Sequence, residues 1–248
     1  MHLTFPPSIK FCHRLYAPSR KLRSLTLPEM EPIQYGSMWL FSHGEFDEES
    51  APVHTMTVGA ARPSDLDEPA VAAFLHAAKK DEMIAKVRNV SKRLHDAEIE
   101  VFGEKWAKSW WVGVPNCDTV NDAYNFGQMV WLHNIVKSWG LLDYAKERYT
   151  STFDTNLKKW DFDKPAKENI DKMRGGWGYQ PGIAYEPGKD YTKYLEHVPE
   201  ENKEKVLEAI QFAYKYCSSS SDKSSIEVPA EWETAYDMRP WLEFPRQK

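Results

Sequence analysis

Eight histidines and three cysteines are the side chains of this 248-residue sequence best suited to nucleophilic, acid–base or metal chemistry. Cys12 and His13 are adjacent and would make a nucleophile–base pair if their side chains met. They stand in "IKFCH", which reads as a strand, and neighbours on a strand point to opposite faces. A core cysteine and a surface or capping histidine are expected instead. His43, His54, His76 and Asp47 are zinc-ligand types, yet no two of these histidines stand at His-x-His or His-x-x-x-His spacing. Zinc needs three or four such groups converging at roughly 2 Å. His133 shares an apolar helical stripe with Met129 and Val136, the setting of a hydrogen-bonded core histidine. Acidic runs at 47–49 and 200–201 hold neighbouring carboxylates that gain no tuned pKa while solvated. The contiguous signatures GxGxxG, GxxxxGK[ST], HExxH and GxSxG do not occur. No catalytic residue, cofactor or metal ligand is assigned.

Ring-bearing residues are the next source of chemistry: ten Trp, twelve Tyr and eleven Phe. In "GGWGYQPG", glycines let backbone approach a partner while Trp177 and Tyr179 offer flat apolar area with polar handles. Together with Trp110 and Trp111 of "WAKSWWVGVPNC", they form the candidate interaction surface. The alternative is a small enzyme acting on an aromatic or apolar metabolite. Its pocket would be lined by Trp106, Trp110, Trp111 and Trp177, with a histidine as general acid or base. A net charge of −5 argues against nucleic acid as a partner. No apolar run is long enough to span a membrane. Three scattered cysteines give neither a disulfide framework nor a zinc knuckle, so cytoplasm or nucleus is expected. The acid-free, basic stretch before Glu29 is the composition of a mitochondrial presequence, the alternative for location. Pro6, Pro7, Pro18 and Pro28 would interrupt its helix, and Met30 is an alternative start.

The elements that must position these groups follow from pattern. "HLTF" and "IKFCH", joined by "PPS", read as strand, turn and strand, with a basic helix after them from Leu15 to Leu25. "YGSMWLF" suits a short helix, and "VHTMTV" alternates like a strand. After Ser64 or Asp65 a helix is expected with Val71, Phe74, Leu75 and Ala78 along one face. Residues 79–105 are the most charged part, with Ile84, Val87, Val90, Ser91 and Leu94 spaced as an exposed amphipathic helix. From Thr119 a helix pair is expected, divided at Gly140. Residues 174–191 hold five Gly and two Pro and read as a loop. A helix beginning at Pro199 buries Val206, Ala209, Ile210, Ala213, Tyr214 and Cys217. "SSSSDKSS" breaks the chain after it.

Read in order, these pieces resemble a fungal-type BTB/POZ domain. "HLTFPPSIKFCHRLYAPSRKL" is similar to that family's opening hairpin and first helix, with Phe11, His13 and Arg14 at its motif positions. "WLFSHGEFDEES", "HTMTVGAARPSDLDEPAVAAFLHAA", "VWLHNIVKSWGLLDYAKERYTSTF" and "EAIQFAYKYC" follow in the family's order. The resemblance implies an α+β fold, a short N-terminal mixed sheet capped by a cluster of helices. It carries a charged helical insertion at about 79–118, the loop 174–191 and a C-terminal helical extension. One domain would span residues 1–217, with 218–248 a flexible break and tail. It further implies protein–protein interaction without catalysis: homodimerisation, or adaptor duty for a partner such as a cullin-type scaffold.

Overall fold

Every regular element among the described residues is helical. The computed structural model describes residues 18–44, 53–58, 66–116, 122–173 and 180–235. The helices are α1 (Arg20–Thr26), α2 (Pro32–Phe41), α3 (Asp67–Ala78), α4 (Lys80–Phe102), α5 (Glu104–Ser109), α6 (Phe126–Trp139), α7 (Leu142–Tyr149), α8 (Thr155–Lys159), α9 (Ala166–Met173) and α10 (Glu200–Cys217). A π-turn, Thr150–Asp154, joins α7 to α8.

The expected mixed sheet is therefore overturned. Among the described residues β pairing amounts to a single antiparallel bridge, Ser19 with Thr234. The hairpin expected over residues 2–13 lies outside the described residues. Residues 53–58 are described and form no strand. Alternation of side chains fixes which faces a segment would present, but a strand also needs a neighbour to take its N–H and C=O groups. With no such ladder among the described residues, the α+β fold implied by the BTB/POZ resemblance is not the fold of this chain.

The chain divides into two units, residues 1–95 with 234–248, and residues 96–233; the division falls within α4. In the first unit α2 begins on a capping box. Glu31 caps the helix, Pro32 is its first residue, and Gln34 Oε1 accepts from the Glu31 N–H at 3.4 Å. The other face of α2 packs on α3. In α4, Met83, Ile84, Val87, Val90 and Leu94 are buried, so the stripe expected on an exposed helix is a core stripe. Tyr35 and Ser91 share a buried 2.9 Å hydrogen bond. Burial pushes the Tyr35 phenol up to about 12.

One side chain closes this unit. Arg93 donates to the carbonyls of Leu25 at 2.7 Å and Thr26 at 3.2 Å, the C-terminal end of α1. Its guanidinium also grips both oxygens of Glu29. A planar fork serves two carbonyls and a carboxylate at once, as an ammonium cannot.

The second unit is built on α6, α7 and α10, which pack on one another. Met129, Leu132 and Val136 of α6 and Val206, Ala209, Ile210, Ala213 and Cys217 of α10 are buried. Gly140 ends α6 in the left-handed region at φ 71°, as its position predicts. The described part of the 174–191 loop is irregular, but it is core rather than display: Ile183, Ala184, Tyr185 and Tyr191 are buried.

Arg93→Ala strips two carbonyls and a carboxylate of their donor and should cost about 2 kcal/mol. Urea unfolding followed by circular dichroism measures the loss, and Arg93→Lys should recover less than half of it.

Candidate functional site

Two packed aromatic clusters stand in the second unit. In the first, His133 lies against Phe102 and Phe212, with ring centroids 5.3 and 4.9 Å away. Trp106 is 1% exposed, and its Nε1–H donates to Asn134 Oδ1 at 3.3 Å. Because an indole N–H only donates, it fixes the Asn134 carboxamide with oxygen toward it. The same oxygen lies 3.0 Å from His133 Nδ1, so His133 carries its proton on Nδ1. Burial holds the imidazole down near 4, and the Lys137 charge pushes the same way. This is the hydrogen-bonded core histidine the stripe implied, neutral and walled by rings.

The second cluster gathers Tyr124, Phe126, Tyr185, Tyr191 and Tyr194, with Tyr124 edge-on to Tyr191 at 5.1 Å and to Tyr194 at 5.3 Å. The hydroxyls of Tyr124, Tyr191 and Tyr194 are occupied. Tyr124 donates to Glu186 and receives Lys189 Nζ at 2.7 Å. Tyr194 donates to Asp122 at 3.0 Å, and Lys193 reaches the same oxygen at 3.0 Å. Burial, and then the Glu186 carboxylate, drive the Tyr124 phenol far upward. A phenol so held is a scaffold bond, not an acid or a nucleophile. Cys217 is likewise inert, since burial pushes its thiol up to about 12.

The expected interaction residues separate. Trp177 and Tyr179 lie outside the described residues, as do Cys12, His13, Cys117 and Asp47. Trp110 is half-buried and Trp111 exposed, edge-on to each other at 5.7 Å. Trp106 is enclosed in the core instead of joining them, so these three do not line one pocket. His43 is half-buried beside Trp39, and His54 is exposed. Among the described residues no group of three or more His, Cys, Asp or Glu is placed to hold a metal ion. No described helix is long and apolar enough to cross a membrane.

The periodicity of α3 groups a face without telling whether it is covered. The stripe expected along one face, Val71, Phe74, Leu75 and Ala78, lies largely outward: Phe74 is 71% exposed, Val71 43%, Ala78 exposed, and Leu75 half-buried. The buried positions are Pro69 and Ala72, facing α2. Leu66 (45% exposed), Asp67, Ala70, Val71, Phe74, Ala77 and Ala78 together cover a sector of roughly 140° at 100° per residue. Asp67 is its one charge. Phe162, 66% exposed, stands singly between Asp161 and Asp163 and needs no explanation. A continuous apolar helix face does.

No family model, no curated protein and no solved structure matches this chain. The outer face of α3 is thus judged on its geometry alone.

Two half-buried titrations of the second unit oppose each other. His133 is depressed from 6.5 to about 4, so the unfolded chain takes up that proton first. Stability present above pH 6.5 is lost as pH falls toward 4, by up to about 3 kcal/mol. Burial raises Glu98 to about 7, so the folded chain protonates first and gains stability as pH falls from 7 to 4.5. Urea midpoints at pH 8, 6 and 4.5 should show His133→Phe losing less on acidification than the parent. Glu98→Gln should be more stable than the parent at pH 8 and equal to it at pH 4.5.

Proposed function

We propose that this chain is a protein-interaction module without catalysis of its own, and that it pairs with a second copy of itself through the outer face of α3. The supporting observation is that face: a twelve-residue helix whose solvent side carries Leu66, Ala70, Val71, Phe74, Ala77 and Ala78. The sequence favours an antiparallel second copy as its cover. With the two-fold axis between Ala73 and Phe74, Ala70 meets the partner's Ala77, and Phe74 enters the gap left by small residues. The same register holds the two Asp67 carboxylates at opposite ends of the pair. A parallel pairing would place like charges together.

Magnitudes make this pairing modest. Burying Phe, Val and Leu side chains yields roughly 1.5–3 kcal/mol each, against several kcal/mol of association cost. A twelve-residue helix is about 18 Å long, and one such face lies below the size of a permanent interface. The dimer should be reversible, in the micromolar range. The homodimer expected by resemblance is thereby kept on a different basis, a helix face in place of a BTB/POZ sheet-and-helix core. A cullin-type scaffold as partner rests on that resemblance alone.

Sedimentation equilibrium over about 1–200 µM tests this reading. The mass should rise from one 28.8 kDa chain toward two. Phe74→Asp should stay monomeric while retaining parent stability, since the side chain is exposed. A monomer at every concentration, or a dimer indifferent to Phe74→Asp, overturns the proposal.

A further inference from the structure

Two adjacent serines supply the hydrogen bonds that the buried Asp154 carboxylate accepts from the described residues. Ser218 Oγ donates to Oδ1 at 2.9 Å, and the Ser219 N–H and Oγ each donate to Oδ2 at 2.7 Å. No described cation joins them. Lys146 and Lys223, whose charges reach the neighbouring Cys217, make no bond to Asp154, and Lys146 pairs with Asp143 at 3.7 Å. The carboxylate is therefore held by neutral donors, and a donor turned into an anion would reverse the interaction.

The two serines differ in access. Ser218 is completely buried, whereas Ser219 is exposed where the chain leaves α10 for an irregular stretch, "SSSSDKSSIE". Asp222 stands three residues after Ser219, and Glu227 stands three after Ser224. Acids placed downstream of a hydroxyl are a charge pattern that a kinase with a basic peptide groove can read. Ser221 is half-buried and donates to the carbonyls of Lys215 and Ser218, so it meets no buried charge. From Asp222 to Glu231 every residue but Ile226 is exposed. The next buried side chain is Trp232, against the Phe212 and Tyr216 rings. This segment is thus fastened at its start through Asp154 and at its end through one indole.

We propose that Ser219 is a phosphorylation site whose modification unlatches the end of α10 from Asp154. Ser219 Oγ attacks the γ-phosphorus of a nucleoside triphosphate held by a kinase. One O–P bond forms, the β–γ P–O bond breaks, the nucleoside diphosphate leaves, and the hydroxyl proton passes to the kinase's catalytic base. The ester adds about −1.5 to −2 charge at an oxygen that lies 2.7 Å from Asp154 Oδ2. It also removes the O–H that made this bond. Asp154 is enclosed and Ser219 exposed, so the serine is the partner that moves out, taking its N–H bond with it.

The purified full chain is treated with an acid-directed serine kinase and MgATP, and the modified serine is located by tandem mass spectrometry. Phosphate at Ser219 is expected, with the thermal midpoint lowered by roughly 4 °C and faster hydrogen exchange at the Ser218 and Ser219 amides. Ser219→Glu should unfold earlier than its neutral match Ser219→Gln. That gap should close in an Asp154→Asn background, which removes the opposing charge. A fold that needed only the serine hydroxyl would suffer equally from Glu and Gln. Phosphate confined to Ser220, Ser221 or Ser224, a midpoint unmoved by phosphate at Ser219, equal midpoints for the Glu and Gln variants, or a gap that persists with Asp154→Asn would overturn the proposal.

Discussion

The carboxylate of Asp154 is the constraint on which the helical core of the second unit depends. It is 3% exposed and accepts three hydrogen bonds, from Ser218 Oγ at 2.9 Å and from the Ser219 N–H and Oγ at 2.7 Å each. Asp154 closes the π-turn after α7, while Ser218 and Ser219 follow α10. One charged group thus fixes where α10 stops relative to α7, and through them where α6 must lie. Helices this short are marginal by themselves, so their stability comes from packing and from such side-chain anchors at their ends. Arg93 plays the corresponding part in the first unit, serving the last carbonyls of α1.

Where a helix carries a polar back, its sequence told both its existence and its orientation. In α10 the apolar positions Val206, Ala209, Ile210, Ala213 and Cys217 alternate with Glu, Lys and Gln and are buried as expected, while Tyr214, expected with them, is only half-buried. The α6–Gly140–α7 break was equally legible, because glycine relieves a left-handed residue at the helix end. In α4 the stripe was correctly spaced, but abundant charge on its other faces made it look solvated. Spacing was the reliable signal there, and overall charge was not.

The same reasoning explains why the covered side of α3 was not legible. Its sequence, DEPAVAAFLHAA, is apolar on nearly every side, so periodicity cannot choose which side is covered. The smaller residues, Pro69 and Ala72, allow close approach to α2, and the larger ones are left outside. Size of contact decided over hydrophobicity. The strand expected at 53–58 failed for a different reason: its pattern is local, whereas a sheet is a pairing between distant segments. Tryptophan content misled in the same way, since it counts rings without locating them, and Trp106 proved to be core while Trp111 is surface.

The end of α6 was illegible for a deeper reason. An asparagine before a helix announces a cap whether or not its second hydrogen-bonding group finds a use. Asn169 uses both, accepting from the Asp161 N–H at 2.9 Å and donating to the Asp161 carbonyl at 2.8 Å. Asn156 spends its amide on two loop carbonyls. Asn134 has a spare Nδ2, but its oxygen is held by Trp106 and His133 inside a ring cluster. Asn125 differs from all three: its oxygen caps α6 through the Gln128 N–H, and its N–H₂ is left without a partner. Residue type cannot distinguish these four cases, because the difference lies in what surrounds each side chain. A buried donor without an acceptor is therefore visible only in the folded chain, where its surroundings are fixed.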